Sequence, residues 1–173
     1  MSQRFSIPAL IAAPPLQSAS LVLSLGALAA LATALGFEYL GGYDPCPLCL
    51  TERLAYYGAV PAGFLALILA YGGRSGPARL LLAACALAFI INAGLGFYHS
   101  GVEWKWWPGP ETCSGARAAG FATDGLQQAL DQARVIRCDE APWRLFGLSF
   151  AGWSGVISAG LAAVGIYGAR SGG

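Results

Sequence analysis

Residues 80–102 read LLLAACALAFIINAGLGFYHSGV and contain no Asp, Glu, Lys or Arg. A helix of about 20 apolar residues crosses the hydrocarbon core of a bilayer, so this stretch is long enough to span a membrane. Three further charge-free windows lie at residues 20–37, 54–73 and 145–169. These windows lack strand-like alternation, and in lipid a helix satisfies every backbone amide within its own segment. The sequence therefore predicts four transmembrane helices.

The predicted fold is an all-α integral membrane protein, a four-transmembrane-helix bundle formed by a single domain of residues 1–173. We place the helices at about residues 19–40, 52–71, 80–99 and 146–168, with loops at about 41–51 and 100–145. Pro61 lies inside the second helix, where neighbouring helices can satisfy the freed carbonyl. A cleavable signal peptide is the alternative for the first span, but the long, proline-containing N-terminal region favours an ordinary membrane anchor.

The composition agrees with a membrane protein and excludes other classes. Charged residues make up 11% of the 173 residues and hydrophobic residues 56%, whereas an ordinary soluble domain has about 25% charge. The net charge is +1, so no bulk positive field attracts nucleic acid. We therefore expect the lipid bilayer, and not nucleic acid, to surround this chain.

The long loop between the third and fourth predicted helices contains most of the charged residues. Of the 19 charged residues, 11 lie within residues 101–144. We expect Trp104, Trp106 and Trp107, at the start of this loop, to lie in the interfacial aromatic belt of the membrane.

The same loop is predicted to carry a short amphipathic helix. Asp124 and Gln127 have the spacing of an N-cap and its reciprocal partner. Apolar residues then recur at helical spacing over residues 126–133, which suits a helix lying on the membrane surface. A frayed loop is the alternative, because Gly125 weakens the first turn.

Four of the five cysteines lie on the same side of the membrane. With four spans, the first and third loops emerge on one face, and they contain Cys46 and Cys49, as CPLC, and Cys113 and Cys138. Cys85 lies within the third span, where we expect it to act as a small apolar side chain.

Charge alone leaves the orientation open, because four Lys and Arg residues lie on the side of the termini and six on the side of the cysteines. Paired cysteines that persist as disulfides belong in an oxidising compartment, which for a bacterial inner-membrane protein is the periplasm. We therefore expect a multi-pass protein of the bacterial inner membrane with cytoplasmic termini and periplasmic cysteine loops.

The CPLC segment has the pattern of a reactive dithiol. Cys49 is expected in the first turn of the second helix, where unpaired amides and the helix dipole stabilise a thiolate. Arg53 follows one turn later and would add positive charge near this sulfur. Glu52 could orient Arg53 or face water, and Arg53 could instead be a snorkelling side chain at the membrane boundary.

The second cysteine pair favours disulfide chemistry over metal binding for these four cysteines. Cys113 and Cys138 are separated by 24 residues, a spacing that suits a disulfide closing a flexible excursion. A four-cysteine zinc site is the alternative, but structural zinc usually draws its ligands in two tight pairs, so we expect no metal. Two disulfides on one face suggest a relay of thiol–disulfide exchange.

A relay of this kind needs a terminal electron acceptor. The outer pair, Cys113 and Cys138, would meet a soluble partner. The inner pair, Cys46 and Cys49, would pass two electrons to a group within the membrane. A lipid-soluble quinone is the expected acceptor, because the sequence has no haem, flavin or iron–sulfur signature. His99, at the end of the third helix, could help Arg53 bind the quinone oxygens, or it could be a solvated boundary residue.

Three motifs resemble those of the bacterial disulfide-bond formation protein B family, DsbB. They are CPLCLTER at residues 46–53, WPGP at residues 107–110, and CDEAPW at residues 138–143, which leads into FGL at residues 146–148. The resemblance covers about residues 36–153, and the cysteine order and the four-span layout agree with it.

The resemblance implies a thiol:quinone oxidoreductase that reoxidises DsbA, a soluble periplasmic oxidase with a thioredoxin fold, and passes the electrons to ubiquinone or menaquinone. By position, it implies that Cys113 forms the mixed disulfide with the partner and that Cys138 then attacks Cys46. Cys49 would be the thiolate that faces the quinone, beside Arg53.

Two alternatives stay open at this point. A vitamin K epoxide reductase-like protein also combines four helices, a CxxC and a quinone, but there the loop cysteines precede the CxxC. A non-enzymatic four-span scaffold with disulfide-stiffened external loops explains the paired cysteines but not Arg53 one turn after Cys49. Structural disulfides resist mild dithiol, whereas those of a relay are readily reduced.

Overall fold

Four long helices form the bundle. They are α1 (Pro15–Tyr39), α2 (Pro47–Tyr71), α3 (Ser75–Glu103) and α4 (Phe150–Arg170). The computed structural model describes residues 14–110, 113 and 137–171. Each helix is long and apolar enough to cross a membrane, which confirms the predicted four-span fold. The amphipathic helix predicted near residues 124–133 lies outside the described residues.

The helices start earlier than predicted where prolines lie near their first turns. α2 begins at Pro47 and not at residue 52, because a proline at the first helical position loses no intrahelical hydrogen bond. α3 begins at Ser75 and not at residue 80, with Pro77 tolerated in its first turn for the same reason. It also continues past the predicted end at residue 99, as far as Glu103.

A small hairpin precedes the last helix, which starts at Phe150 and so four residues after the predicted start at about residue 146. β1 (Arg144–Leu145) and β2 (Leu148–Ser149) pair antiparallel. The turn residues Phe146 and Gly147 both have positive φ, 51° and 83°, as two-residue hairpin turns of type I′ require. The chain becomes helical only at Phe150, where the preceding serine side chain caps α4.

The bundle packs through small residues, as membrane helices do. α3 and α4 approach each other closely at Gly96 and Gly155: a Cβ atom built on Gly96 would lie 2.8 Å from the Gly155 Cα. Leu23, Leu82 and Phe89 fill the core between the helices and are fully buried. Many large apolar side chains point outwards, as expected for surfaces in contact with lipid tails.

A buried polar cluster joins three helices. The Asn92 amide on α3 donates to Ser158 Oγ on α4 at 2.9 Å, and the Tyr56 hydroxyl on α2 lies 2.9 Å from the same oxygen. The Tyr56 hydroxyl also donates to the Ser154 carbonyl at 3.2 Å. Because few other partners exist in an apolar interior, these bonds help fix how the helices face one another.

Candidate active site

The CPLC segment is held at the beginning of α2. Cys46 is the N-cap residue, and its Sγ accepts a hydrogen bond from the Cys49 backbone N–H at 3.2 Å. The two sulfurs lie 2.7 Å apart, and both residues are free thiols. We call Cys46 and Cys49 the inner pair. Its geometry permits a disulfide to form with little movement of the backbone.

The loop cysteines form a disulfide that packs against the inner pair. Cys113 and Cys138 are bonded to one another, with their Cα atoms 5.2 Å apart, in agreement with the pairing that their spacing suggests. Both are buried and form one cluster with Cys46. The structure thus gathers all four loop cysteines at one site, whereas Cys85 lies in the apolar core.

A histidine and a glutamate complete the inner side of this cluster. His99 on α3 lies with Nε2 at 3.6 Å from Cys46 Sγ and with Nδ1 at 2.7 Å from Glu52 Oε1. Both side chains are buried, with 2% of His99 and 4% of Glu52 exposed. Both ring nitrogens therefore already contact protein atoms, and the expected role of His99 in quinone binding stays a prediction.

The stabilising contacts converge on Cys46. Hydrogen bonding from Cys49 is the largest effect, and with the neighbouring His99 it outweighs burial and lowers the pKa of the Cys46 thiol from 9.0 to about 5. The sequence predicts the stabilised thiolate at Cys49, on the assumption that Cys49 receives the helix amides. In the structure Cys46 occupies the cap position, so it accepts the amide hydrogen bond instead.

Arg53 is directed towards α1. Its guanidinium forms an ion pair with Glu38, and its second terminal nitrogen donates to the Ala34 carbonyl at 3.5 Å. Both charged side chains are largely buried, with 12% of Arg53 and 20% of Glu38 exposed. The predicted influence of Arg53 on the Cys49 sulfur stays a prediction.

A cavity of about 1020 Å³ opens beside the inner pair. Its polar lining includes the inner pair, Arg53 and His99. Its walls carry small and aromatic side chains from α1, α4 and the segment before β1, including Ala30, Ala34, Phe37, Trp143, Phe150 and Ile157. A large, mostly apolar pocket with a few convergent polar groups is typical of a site for an organic ligand. The lining fits a quinone, whose ring is apolar on both faces and whose two oxygens accept hydrogen bonds.

The same donors are poorly arranged for a metal ion. Cys46, Cys49 and His99 place their ligand atoms within 4.8 Å of one another. Two thiolates bound to one tetrahedral zinc ion lie about 3.8 Å apart, given Zn–S bonds of about 2.3 Å. The sulfurs here are separated by 2.7 Å, which suits thiol–disulfide chemistry better than joint ligation.

Ion pairs anchor the segment that carries Cys138. Asp139 contacts Lys105, just after α3, and accepts two hydrogen bonds from Arg137, at 2.9 and 3.0 Å. The Arg137 guanidinium and then Lys105 hold the pKa of the Asp139 carboxyl well below its usual range. These contacts tie the loop disulfide to the end of α3.

The tryptophans that follow α3 divide into two kinds. Trp104 and Trp106 are exposed, and their predicted location in the aromatic belt stays a prediction. Trp107 instead covers Gly101, donates from Nε1 to the Tyr98 carbonyl at 2.8 Å and stacks on the Tyr98 ring. This packing positions the WPGP turn above the end of α3.

Comparison with known proteins agrees with this arrangement of cysteines. The family model "Disulfide bond formation protein DsbB" matches residues 17–168, which is most of the chain. The chain belongs to the DsbB family. Membership implies a role in disulfide-bond formation, and it agrees with the motifs at residues 46–53 and 138–143.

Curated members of the DsbB family match over most of their own length. Disulfide bond formation protein B of Marinobacter nauticus is 29% identical over 145 residues, which cover 79% of this chain and 82% of the relative. Disulfide bond formation protein B 2 of Pseudomonas savastanoi pv. phaseolicola is 30% identical over 157 residues, with 83% and 82% covered. The Haemophilus influenzae protein B is 31% identical over 150 residues, with 79% and 76% covered. No solved structure gives a significant match.

Two acidic residues of the DsbB-family site escape sequence reasoning. The sequence predicts no role for Glu38, and it predicts that Glu52 orients Arg53 or faces water. The burial pattern of α2 contains a signal for Glu52, because it begins the inward stripe that continues through Tyr56 and Ala59 at spacings of four and three residues. No comparable pattern points to Glu38, which lies near the end of α1.

Proposed function

We propose that this DsbB-family chain is an inner-membrane thiol:quinone oxidoreductase that reoxidises a periplasmic DsbA-like partner with a thioredoxin fold. The observation that carries the proposal is the packing of the Cys113–Cys138 disulfide against the free inner pair, beside a large apolar cavity. Once a partner dithiol has reduced the loop disulfide, a single further disulfide exchange would pass the two electrons to the inner pair, beside the cavity.

The proposed electron path has three balanced steps. The partner dithiol reduces the Cys113–Cys138 disulfide, with Cys113 forming the mixed disulfide, and the partner leaves as a disulfide. Cys138 then attacks Cys46 of an oxidised inner pair, so that the loop disulfide is restored and Cys46 and Cys49 become thiols. Finally the inner pair reforms its disulfide and loses two electrons and two protons.

A quinone, ubiquinone or menaquinone, would supply the acceptor for those two electrons and two protons. Arg53 and His99 both line the cavity, and a donor from the Arg53 guanidinium could hold a ring oxygen. Cys49 also lines the cavity and would face the ring. The apolar walls would exclude water and accommodate the rest of the ligand.

The proposed topology follows from this chemistry. The cysteine loops would face the periplasm, where disulfides persist, and both termini would lie in the cytoplasm.

Trapping the partner complex tests this proposal. A DsbA-like partner with its second active-site cysteine replaced by serine should open the Cys113–Cys138 disulfide of the native chain and form a mixed disulfide with Cys113, identified by peptide mass spectrometry after an acid quench. Cys85→Ser is the matched control and should leave the reaction unchanged. If no complex forms and both cysteine pairs resist mild dithiol, the disulfides are structural and the non-enzymatic scaffold is the better account.

A further inference from the structure

Glu52 is a carboxylate buried at the centre of the site, and its partner is a histidine. Its Oε1 lies 2.7 Å from His99 Nδ1, and only 4% of the residue is exposed. Burying a carboxylate without a partner costs several kcal/mol, so this contact accounts for its presence inside the bundle. The contact also fixes the rotation of the imidazole ring, because it leaves Nε2 directed at Cys46 Sγ, 3.6 Å away.

The order of these three groups matches a recurring catalytic arrangement. In nucleophilic catalysis an acid–base side chain contacts the sulfur or oxygen, and a third group orients that side chain. Here the nucleophile would be the Cys46 sulfur, the base His99, and the orienting group Glu52. A histidine whose only role is to bind quinone would not need Nε2 directed at a thiol.

We propose that Glu52 is a positioning residue that holds His99 with Nε2 towards Cys46, so that His99 carries the proton that Cys46 gives up and delivers it when the inner pair is oxidised. The inference deepens the proposed function and rests on it, because the oxidant is the membrane quinone. It assigns to His99 a proton-transfer role in place of a purely quinone-binding one.

The step balances in atoms and charge. The two thiols of the inner pair form one S–S bond and give up two electrons and two protons. His99 Nε2 carries the proton that Cys46 has given up and passes it into the cavity that both residues line. The second proton comes from the Cys49 thiol. The quinone gains both electrons and both protons and becomes a quinol, while Glu52 stays a carboxylate throughout.

Several charged groups surround this arrangement, and their positions bear on its pH dependence. Cys49 and Glu52 on α2 face Cys46 and His99 directly. Glu103, one turn beyond His99 on α3, also interacts with both. Arg144 on β1 lies beyond Glu103 and interacts with it. Helices α2 and α3 therefore each place a carboxylate near the His99 ring. Of the carboxylates in the described residues, only that of Glu52 forms a hydrogen bond with the ring.

A single-turnover experiment tests the role of Glu52 without the soluble partner. The background protein carries Cys113→Ser and Cys138→Ser, so that dithiothreitol reduces the inner pair directly. After the reductant is removed, the protein is mixed with a water-soluble ubiquinone analogue, and the quinone absorbance is followed across the pH range. Circular dichroism in detergent confirms that each variant retains its helices.

Glu52→Gln should slow quinone reduction at neutral pH by roughly tenfold or more. It should also move the acid limb of the rate to higher pH, with the half-saturating quinone concentration unchanged. His99→Gln should behave in the same way, and the double variant should be no slower than His99→Gln alone, because the two residues act as one unit. A change confined to half-saturation, or additive effects of the two substitutions, would overturn the proposal.

Alkylation of Cys46 distinguishes failure of this inference from failure of the proposed function. If the background protein does not reduce quinone at all, the proposed function fails. Iodoacetamide labelling of Cys46 in the same protein, followed by mass spectrometry, still tests the arrangement. Glu52→Gln and His99→Gln should each move the labelling midpoint upwards by about one pH unit or more. An unmoved midpoint would contradict the role of Glu52.

Discussion

Arg53 on α2, which lines the cavity, forms an ion pair with Glu38 on α1. The guanidinium that the sequence motif marks as a quinone ligand is thus already engaged by a carboxylate from the neighbouring helix. An incoming quinone oxygen would compete with Glu38 for the same N–H donors.

This competition predicts opposite effects of two substitutions on quinone affinity. Arg53→Ala should raise the KM for quinone by about tenfold or more, because a charged hydrogen-bond donor is lost. Glu38→Gln should lower the KM by a few-fold, roughly the effect of about 1 kcal/mol of competing interaction. Steady-state kinetics with varied quinone measure both. If Glu38→Gln raised the KM as Arg53→Ala does, Glu38 would position Arg53 and not compete for it.

The pH dependence of Cys46 reactivity follows from its lowered pKa. Only the thiolate is alkylated, so a thiol with a pKa of about 5 should react at a nearly constant rate from about pH 6 upwards and slow down below pH 5. An ordinary thiol would keep gaining reactivity up to about pH 9. Iodoacetamide labelling of the reduced protein measures this, with the protein unfolded in detergent as the control. A rate that rises about tenfold per pH unit between pH 6 and 8 is incompatible with the stabilised thiolate.

The contact between α3 and α4 predicts a strong difference between two glycines on one helix. Gly96→Ala should destabilise the bundle by about 1–3 kcal/mol, because the new methyl group would overlap the Gly155 backbone. Gly94→Ala is the matched control, since beyond its chain neighbours and the backbone of its own helix no heavy atom of the described residues lies within 4 Å of its Cβ position. Denaturation in mixed micelles compares the free energies of unfolding. Equal losses would show that the close approach is absent.

The polar cluster in the bundle interior predicts different losses of stability for substitutions at two serines of α4. Ser158→Ala should cost about 1 kcal/mol, because Tyr56 and Asn92 lose their shared partner. Ser154→Ala, one turn earlier on α4, should be nearly neutral, since its hydroxyl has no hydrogen-bond partner among the described residues. The same unfolding assay applies, and a larger loss for Ser154→Ala would argue against the bonding described.

The four-helix bundle could be predicted from the sequence because backbone amides in lipid must be hydrogen-bonded within their own segment. Charge-free runs such as residues 80–102 can only be helices, so the number and type of elements follow from composition. The helix starts were harder to place, since a proline such as Pro47 reads as a loop signal but also fits the first helical turn. The hairpin before Phe150 depends on two residues with positive φ, one of them Phe146, which no pattern marks in advance.

The site was only partly accessible from sequence. The motifs point to Cys46, Cys49, Cys113 and Cys138, and the structure brings these four residues together. The contacts that control their chemistry arise between helices, as in the approach of His99 on α3 to Glu52 on α2. Such pairings depend on how the helices rotate against one another, and single-sequence periodicity does not determine that rotation.

Coupled oxidation and quinone consumption test the central claim most directly. Purified protein is mixed with a reduced DsbA-like partner and a soluble ubiquinone analogue, and the quinone absorbance and the partner thiols are followed together. The account predicts one quinone reduced per partner dithiol oxidised, in the native chain and in Cys85→Ser. In Cys49→Ser it predicts no quinone loss and no partner oxidation beyond the single equivalent that the loop disulfide supplies. Continued partner oxidation without quinone loss, or equal quinone loss in Cys49→Ser, would contradict it.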